Sequence, residues 1–333
     1  MIGLDLGSKY IKACSVFQKG DGSFTVYAAM TATPKENRDK EAVNKAVKYL
    51  LRQLRFKNKD LYLSAGGSDL LARDFVLPKV SHDKLRGAVM MEAENNIFES
   101  LDTMYSDFQI LSSPVDNKID VLFVASPKRH IDEMIASLSL TDLDIAGVTA
   151  DNVAVTNGFL TFNSKKTATG SVILINIGDQ NSNISILDHG ELKFIRNVAF
   201  GGHAVTAEIA SLYEIDFESA EKIKRHPEMW EEIGLNIKNV LKKSSSSLLE
   251  AIFRSMEYCV SKQRLGKIDE ILITGGGAIL KGMDTFIWDV LGIKTVKWNP
   301  LESDKIKGVV NSEQGYFAAV VLGLALGKEF ANV

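Results

Sequence analysis

Hydrophobic and polar residues follow two different periods along this chain, and stretches of each period succeed one another. Five short stretches near the N-terminus have the composition of strands: residues 2–6, 10–17, 23–29, 61–64 and 72–77. Between residues 42 and 54, apolar positions recur at helical spacing. A polar turn with two glycines, residues 19–22, is typical of a hairpin. The alternation of strand and helix patterns predicts an α/β fold.

A small inserted subdomain is predicted at about residues 78–145. Its pattern is a helix, two strands and a second helix: residues 81–97, 105–111, 119–125 and 131–138. Ser81 can cap the first helix, and a polar turn at residues 112–118 separates the two strands.

The opening pattern of the chain then occurs a second time. Three further strands are predicted at residues 171–177, 183–187 and 192–198. In the overlay, Leu4-Asp5-Leu6-Gly7 aligns with Ile175-Asn176-Ile177-Gly178, and a polar turn follows each segment. Such an internal repeat predicts two related halves with a cleft between them.

The repeat divides the chain into three predicted parts: residues 1–165, 166–310 and 311–333. The second part is expected to carry a helical subdomain at about residues 203–265 and a strand at 268–274. The third is expected to contain a closing helix, at about residues 314–329, that returns to the first half.

Composition and charge narrow the function classes. The chain has 333 residues with a formal net charge of −3, so it has no general attraction for nucleic acid or anionic lipid. Cys14 and Cys259 cannot form a disulfide framework. The longest apolar run, residues 317–327, falls short of the ~20 residues of a membrane span. We expect a cytoplasmic protein that reaches a membrane only through a partner.

The first candidate site follows strand 2–6. Gly7 lets the backbone approach an anion closely, Ser8 adds a hydroxyl group, and Lys9 supplies a positive charge for phosphate. Asp5 is placed to hold the water molecules around a Mg²⁺ ion. The alternative is a plain hairpin with a surface aspartate.

The equivalent turn of the second half carries Asn176, Gly178, Asn181 and Ser182. Two such turns would clamp a phosphate chain from both sides, although a duplication without retained function would leave the same pattern. Asn176 aligns with Asp5, and an amide cannot carry negative charge or act as a base.

A run of three glycines, Gly275, Gly276 and Gly277, follows an apolar strand. Because consecutive glycines cost backbone entropy, we interpret them as a flat floor for a nucleotide rather than as a tight turn.

Two further segments complete the candidate site. Glu221 and Lys224 share a helix face and would bond a ribose and cover an adenine, unless they form a solvated surface pair. Gly201 and Gly202 precede a helix and would aim amide groups at phosphate, unless they only reverse the chain.

Together these motifs resemble the actin-like ATPase superfamily, which also contains sugar kinases and the division protein FtsA. GLDLGS and NIGDQNS look like its two phosphate loops, ITGGGA like its adenosine motif, and AEKIKR like its base- and ribose-contacting helix. Asp151 falls where the first connecting segment approaches the nucleotide, and residues 314–327 resemble the second connecting helix. The resemblance implies an actin-like ATPase fold, with two duplicated α/β domains around a cleft for ATP and Mg²⁺. Asp5 and Asp151 would be its catalytic residues, with Asp5 holding Mg²⁺ through water.

Within the superfamily, residues 77–80 and 88–97 resemble the PilM family of type IV pilus assembly proteins. That resemblance implies an ATP-binding cytoplasmic adaptor that binds the N-terminal segment of a PilN-type inner-membrane protein, in a groove near residues 75–145. It also implies contact with PilB- or PilC-like components. Two positions depart from the pattern. Phe98-Glu99-Ser100 replaces an Ile-Pro-Phe-Pro-like turn, and Asn176 replaces an aspartate, which implies weak or absent hydrolysis.

Two alternatives use the same fold. The first is a filament-forming division protein like FtsA, which would normally carry a C-terminal amphipathic membrane helix that this sequence does not show. The second is a small-molecule kinase, for which Asp151 is the candidate base.

Overall fold

The computed structural model describes residues 1–34, 39–67, 69–111, 117–163, 170–262, 265–310 and 312–327. The first half opens with β1 (Ile2–Leu6), β2 (Tyr10–Gln18), β3 (Phe24–Ala32), α1 (Lys40–Leu51) and β4 (Asp60–Ala65). The next elements are β5 (Leu71–Pro78), α2 (His82–Asn96), β6 (Met104–Ile110), β7 (Lys118–Pro127), α3 (Lys128–Ala136), β8 (Asp144–Ala150) and α4 (Asp151–Phe162).

The second half begins with the strands β9 (Ser171–Ile177), β10 (Ser182–Asp188) and β11 (Glu191–Val198). Its helices are α5 (Gly202–Tyr213), α6 (Phe217–Arg225), α7 (Ile237–Ser244) and α8 (Ser246–Lys262), followed by β12 (Glu270–Thr274), α9 (Met283–Leu291) and β13 (Thr295–Lys297). The chain then forms β14 (Ile306–Val310), a 3-10 turn (Ser312–Ala318) and α10 (Ala319–Leu324).

Two sheets with the same topology form the centre of the molecule. The first has the order β14-β3-β2-β1-β4-β8, and the second has the order β11-β10-β9-β12-β13. In each, an antiparallel hairpin joins a central strand that pairs in parallel with the strands beyond it. The predicted duplicated α/β fold is therefore confirmed. The first sheet gains one strand, β14, so the chain rejoins it before residue 311, where the sequence prediction placed the return.

A third sheet, in the order β5-β7-β6, lies between the two halves of the chain in sequence. We call β5, α2, β6 and β7 the inserted unit. Helix α2 covers one face of this sheet with Leu85, Val89 and Ala93, which pack against Phe75 and Phe123. The unit starts at residue 71, because β5 pairs with β7 over its whole length.

The two connecting helices, α4 and α10, cross where their backbones touch. A Cβ atom on Gly323 would overlap the carbonyl oxygen of Ala154, and one on Gly3 would overlap that of Val321. Side chains of both helices, including Phe159 and Leu324, then pack in one core with strands of both sheets. This crossing joins the two halves behind the cleft.

Some predicted details differ in the structure. Ser81 occupies the cap position of α2, but its side chain makes no hydrogen bond to the helix. The predicted closing helix is a 3-10 turn followed by the short helix α10. Residues 112–116 of the predicted turn and residues 328–333 of the predicted C-terminal part lie outside the described residues.

Candidate functional site

A cleft with a volume of about 1110 Å³ separates the two halves. Fourteen of the residues singled out from the sequence line it: Asp5, Gly7, Ser8, Lys9, Asp151, Asn176, Gly178, Asn181, Gly202, Glu221, Lys224, Gly275, Gly276 and Gly277. Ser182 and Gly201 do not. Ser182 is buried and donates a hydrogen bond to the carbonyl oxygen of Phe200 at 2.8 Å. Gly201 packs so closely on Asp179 that a Cβ atom would overlap the Asp179 backbone.

The hairpin turns that follow β1 and β9 are equivalent and face the same cleft. In the first, a Cβ atom on Gly7 would lie 2.8 Å from the carbonyl oxygen of Tyr10. In the second, a Cβ atom on Gly178 would lie 2.6 Å from the carbonyl oxygen of Asn181, which accepts from the Gly178 amide at 3.0 Å. Both turns therefore need glycine at the same place to close.

The start of α5 supports the second turn. The amide of Gly202 donates to the carbonyl oxygen of Gly178 at 2.9 Å, and that of His203 donates to the carbonyl oxygen of Asp179 at 2.8 Å. These amides hold the turn, whereas the sequence predicted that amides of this segment would be aimed at phosphate.

Two cross-strand pairs occupy matching positions beside the turns. Asp5 pairs with Lys12 in the β1–β2 register, and the Lys12 ammonium lies 2.6 Å from the carboxylate. Asn176 pairs with Asn183 in the β9–β10 register, and its Nδ2 donates to Asn183 Oδ1 at 3.0 Å. Lys12 and Asn183 were missed in the sequence analysis, although the register of the predicted hairpins would have identified them.

Asp151 is the first residue of α4 and points into the cleft. Its Oδ1 accepts from the Asn152 amide at 2.8 Å and from Asn183 Nδ2 at 3.1 Å. Burial and, to a lesser extent, the Asp5 carboxylate raise the pKa of Asp151 to about 7. At neutral pH this carboxyl group can therefore hold or release a proton.

Glu221 and Lys224 of α6 form a partly buried network. The Glu221 carboxylate lies 2.7 Å from the Lys224 ammonium and accepts from the Thr206 hydroxyl at 2.6 Å. Burial alone would raise the pKa of Glu221, but hydrogen bonds from Lys224, Lys9 and Thr206 lower it to about 2. Lys224 is only 9% exposed, which rules out a solvated surface pair.

Three polar contacts cross the cleft between the halves. The Lys9 ammonium lies 2.5 Å from Glu221 Oε1, and the Ser8 hydroxyl donates to the Asp179 carboxylate at 3.2 Å. Arg225 donates to the Tyr10 hydroxyl at 2.8 Å. The groups expected to bind phosphate and ribose are thus paired with each other in this structure.

The glycine run is needed for packing within the protein. Gly275 has a φ of +86°, and a Cβ atom there would lie 2.5 Å from Asn176 Oδ1. A Cβ atom on Gly276 would lie 2.7 Å from the Phe317 ring, and one on Gly277 would overlap Ile177. The three glycines line the cleft, but close packing explains them without a nucleotide.

The comparisons with known proteins agree with this architecture. A family model described as type IV pilus assembly protein PilM matches residues 3–329. This chain belongs to the PilM family. A solved structure described as the PilM-PilN type IV pilus biogenesis complex has a TM-score of 0.83 at 20% identity, covering 98% of this chain and 97% of that chain.

Two other solved structures show that the PilM-family chain has the actin-like ATPase fold. The ethanolamine utilization protein EutJ from Carboxydothermus hydrogenoformans matches with a TM-score of 0.52 at 16% identity, covering 98% of this chain and 88% of that chain. MreB5 of Spiroplasma citri bound to ADP matches with a TM-score of 0.50 at 12% identity, covering 99% of this chain and 96% of that chain.

Metal-binding clusters and membrane-spanning helices are both absent from the described residues. Within them, no group of three or more His, Cys, Asp or Glu side chains is placed to hold a metal ion. In the same part of the chain, no helix has both the length and the apolar character that crossing a bilayer requires.

Proposed function

We propose that this protein is an ATP-binding adaptor of type IV pilus assembly that binds the cytoplasmic N-terminal segment of a PilN-type inner-membrane protein. Membership of the PilM family supports the assembly role. The observation that carries the nucleotide site is the pair of equivalent glycine turns facing each other across one cleft. The ADP named in the description of the MreB5 structure supports a nucleotide ligand for this fold.

The residues around the cleft fit a nucleotide. Its volume of about 1110 Å³ is enough for a cofactor, since ligand pockets typically measure ~300–1,000 Å³. Gly7, Ser8, Lys9, Gly178 and Asn181 would hold the phosphates, because they combine close backbone approach with one ammonium group.

The nucleoside would lie between Glu221 and Lys224 on one side and the three glycines Gly275, Gly276 and Gly277 on the other. Ser182 and Gly201 would act indirectly, since they shape the second turn from outside the cleft lining.

Asp5 would orient the water molecules of a Mg²⁺ ion, which neutralises phosphate charge when bound. Its pairing with Lys12 keeps the carboxylate charged and in place. Asp151 is the group able to take up a proton beside the phosphates, whereas Asn176 is not. We propose that hydrolysis is slow or absent and that the bound nucleotide organises the cleft.

The partner would bind near residues 75–145, as the resemblance implies. Three apolar side chains are exposed on the inserted unit or next to it: Val76, Met91 and Phe98, the last of these completely. A partner described as PilN is present in the similar solved complex. We propose that this protein is cytoplasmic, that it reaches the inner membrane through that partner, and that it meets PilB- or PilC-like components. The division at residues 165 and 310 is part of the same proposal.

The nucleotide site is tested by calorimetric titration of the purified chain with ATP and Mg²⁺. We expect saturable binding that weakens at least about tenfold in Lys9→Ala, because one charge-assisted phosphate contact is lost. The matched control is Lys19→Ala, a lysine in the exposed β2–β3 turn. Equal affinities for ATP in Lys9→Ala and the wild type would refute the role of Lys9.

A single-turnover measurement tests the proposed slow hydrolysis. Labelled ATP is bound in the presence of Mg²⁺, and the bound fraction is analysed over time for ATP and ADP. We expect ATP to persist. Rapid conversion to ADP would contradict the role given to Asn176, ATP-dependent polymers on anionic vesicles would favour the FtsA-like alternative, and phosphoryl transfer to a sugar would favour the kinase.

A further inference from the structure

A ladder of side-chain amides runs from the cleft to the inserted unit. Asn176 donates to Asn183, and Asn183 Nδ2 donates to Asn197 Oδ1 at 3.0 Å. Asn152, on α4, donates to the same oxygen at 3.2 Å. Asn197 Nδ2 then donates to the carbonyl oxygen of Leu70 at 3.1 Å. Leu70 immediately precedes β5, the first strand of the inserted unit.

The direction of every hydrogen bond in this ladder follows from its last member. A backbone carbonyl can only accept, so Asn197 must present its Nδ2 to Leu70 and its Oδ1 to Asn183 and Asn152. Asn183 must then donate to Asn197, which leaves its own Oδ1 to accept from Asn176. The oxygen of Asn176 therefore lies beside Gly275 at the cleft, where its partial negative charge disfavours a phosphate.

The ladder has a second arrangement of nearly the same shape. If the Leu70 carbonyl moves away, the amides of Asn197, Asn183 and Asn176 can each turn over. Asn176 would then present Nδ2, a hydrogen-bond donor, to the cleft. In that arrangement Asn183 would also present its oxygen to Asp151, which accepts from Asn183 in this structure. Two discrete arrangements of one packed network are the physical requirement for coupling between distant sites.

The inserted unit is placed to transmit such a movement, because it packs against the second half. Its residues Leu111 and Leu122 contact Ile195 of β11. Asp74 of β5 accepts a hydrogen bond from the Tyr258 hydroxyl on α8. A ligand that shifts the inserted unit would therefore also shift the carbonyl that sets the direction of the ladder.

We propose that Asn197 couples the inserted unit to the phosphate end of the cleft, so that a peptide bound at that unit and a nucleotide bound in the cleft change each other's affinity. This inference rests on the proposed function for both ligands. Linkage requires the two changes to be equal, and couplings of this kind are typically ~5–150-fold.

The test measures the affinity of MgATP with and without a synthetic peptide that copies the N-terminal segment of the PilN-type protein encoded by the same genome. In the wild type we expect the two affinities to differ at least about fivefold. In Asn197→Leu, which removes every hydrogen bond of this side chain at similar volume, we expect the ratio to approach one. The ratio reports coupling even where the variant changes the affinity for ATP itself.

The matched control is Thr156→Val. Thr156 is buried on α4 and donates to Ser185 of β10 at 2.9 Å, so this variant also removes a buried bond between α4 and the second sheet. It leaves the ladder intact and must keep the wild-type ratio. Equal loss of coupling in both variants would overturn the specific role of Asn197, and so would full coupling in Asn197→Leu.

Hydrogen exchange supplies a second readout that needs no peptide. MgATP is expected to change deuterium uptake in β5 of the wild type and to leave that of Asn197→Leu unchanged. If MgATP and the peptide each bind the wild type but ignore one another, the coupling is refuted while the proposed function stands. If MgATP does not bind, the proposed nucleotide site fails, and the coupling fails with it.

Discussion

Replacing Asp151 by asparagine should stabilise this protein at alkaline pH. In the folded chain, burial and the neighbouring Asp5 raise the pKa of Asp151 from 3.8 to about 7. The introduced amide keeps an oxygen for the backbone N–H of Asn152 and for Asn183, which both donate to Asp151 Oδ1 in the wild type. The substitution therefore removes a costly charge and preserves the shape and the accepted hydrogen bonds.

The magnitude and its pH dependence follow from that pKa. Because the folded state holds this proton more tightly than the unfolded state, the free energy of unfolding of the wild type falls as the pH rises from about 4 to about 7. The difference between 3.8 and about 7 corresponds to about 4 kcal/mol, at about 1.4 kcal/mol per pH unit. Partial exposure of Asp151 to the cleft makes this an upper bound.

The assay is urea denaturation of the wild type and Asp151→Asn at pH 4.5 and pH 8, in the absence of nucleotide. We expect similar stability at pH 4.5 and a gain of about 2–4 kcal/mol for the variant at pH 8. An equal difference at both pH values would show that the charge on Asp151 is not the cause. A less stable variant at pH 8 would refute the reasoning, because it would mean that the carboxylate contributes favourably to folding.

Two further substitutions test the packing and the electrostatics of the cleft. Gly323→Ala should cost about 1–3 kcal/mol in urea denaturation, because its Cβ atom meets the Ala154 carbonyl, whereas Gly20→Ala, with open space around it, should be nearly neutral. Glu221→Gln should cost about 1–3 kcal/mol at pH 7, since the pKa of Glu221 is lowered to about 2; that cost should fade as the pH drops below 4.5, and a pH-independent cost would contradict the ion-pair explanation.

The strands of both hairpins could be predicted because short apolar stretches between polar turns mark where each strand begins and ends. The limits of β1 agree with the predicted residues 2–6, and those of β2 differ by one residue. Helix α4 gave no such signal: it is buried on almost all sides, so its apolar residues show no helical period. Strand β8 lacks alternation for a related reason, since its residues are mostly half-buried on both faces.

The candidate site divides in the same way. Residues on the two turns could be found from the internal repeat, because duplicated strands bring duplicated turns to one cleft. The contact between Lys9 and Glu221 could not, since it depends on how far the two halves close. Asn197 also gave no signal, because its role depends on the position of Leu70, which is distant in sequence.

The position of Asn176 gains a structural explanation from the ladder. The superfamily pattern has an aspartate here, which accepts hydrogen bonds but does not donate them when ionised. A carboxylate at this position would compel Asn183 to turn its Nδ2 toward it and its oxygen toward Asp151 and Asn197, so that two pairs of acceptors would face each other. The amide of Asn176 is thus the group that lets Asn183, Asn197 and Leu70 form one continuous ladder. On this argument the second phosphate turn lost its carboxylate because the same position became the end of a connection to the inserted unit.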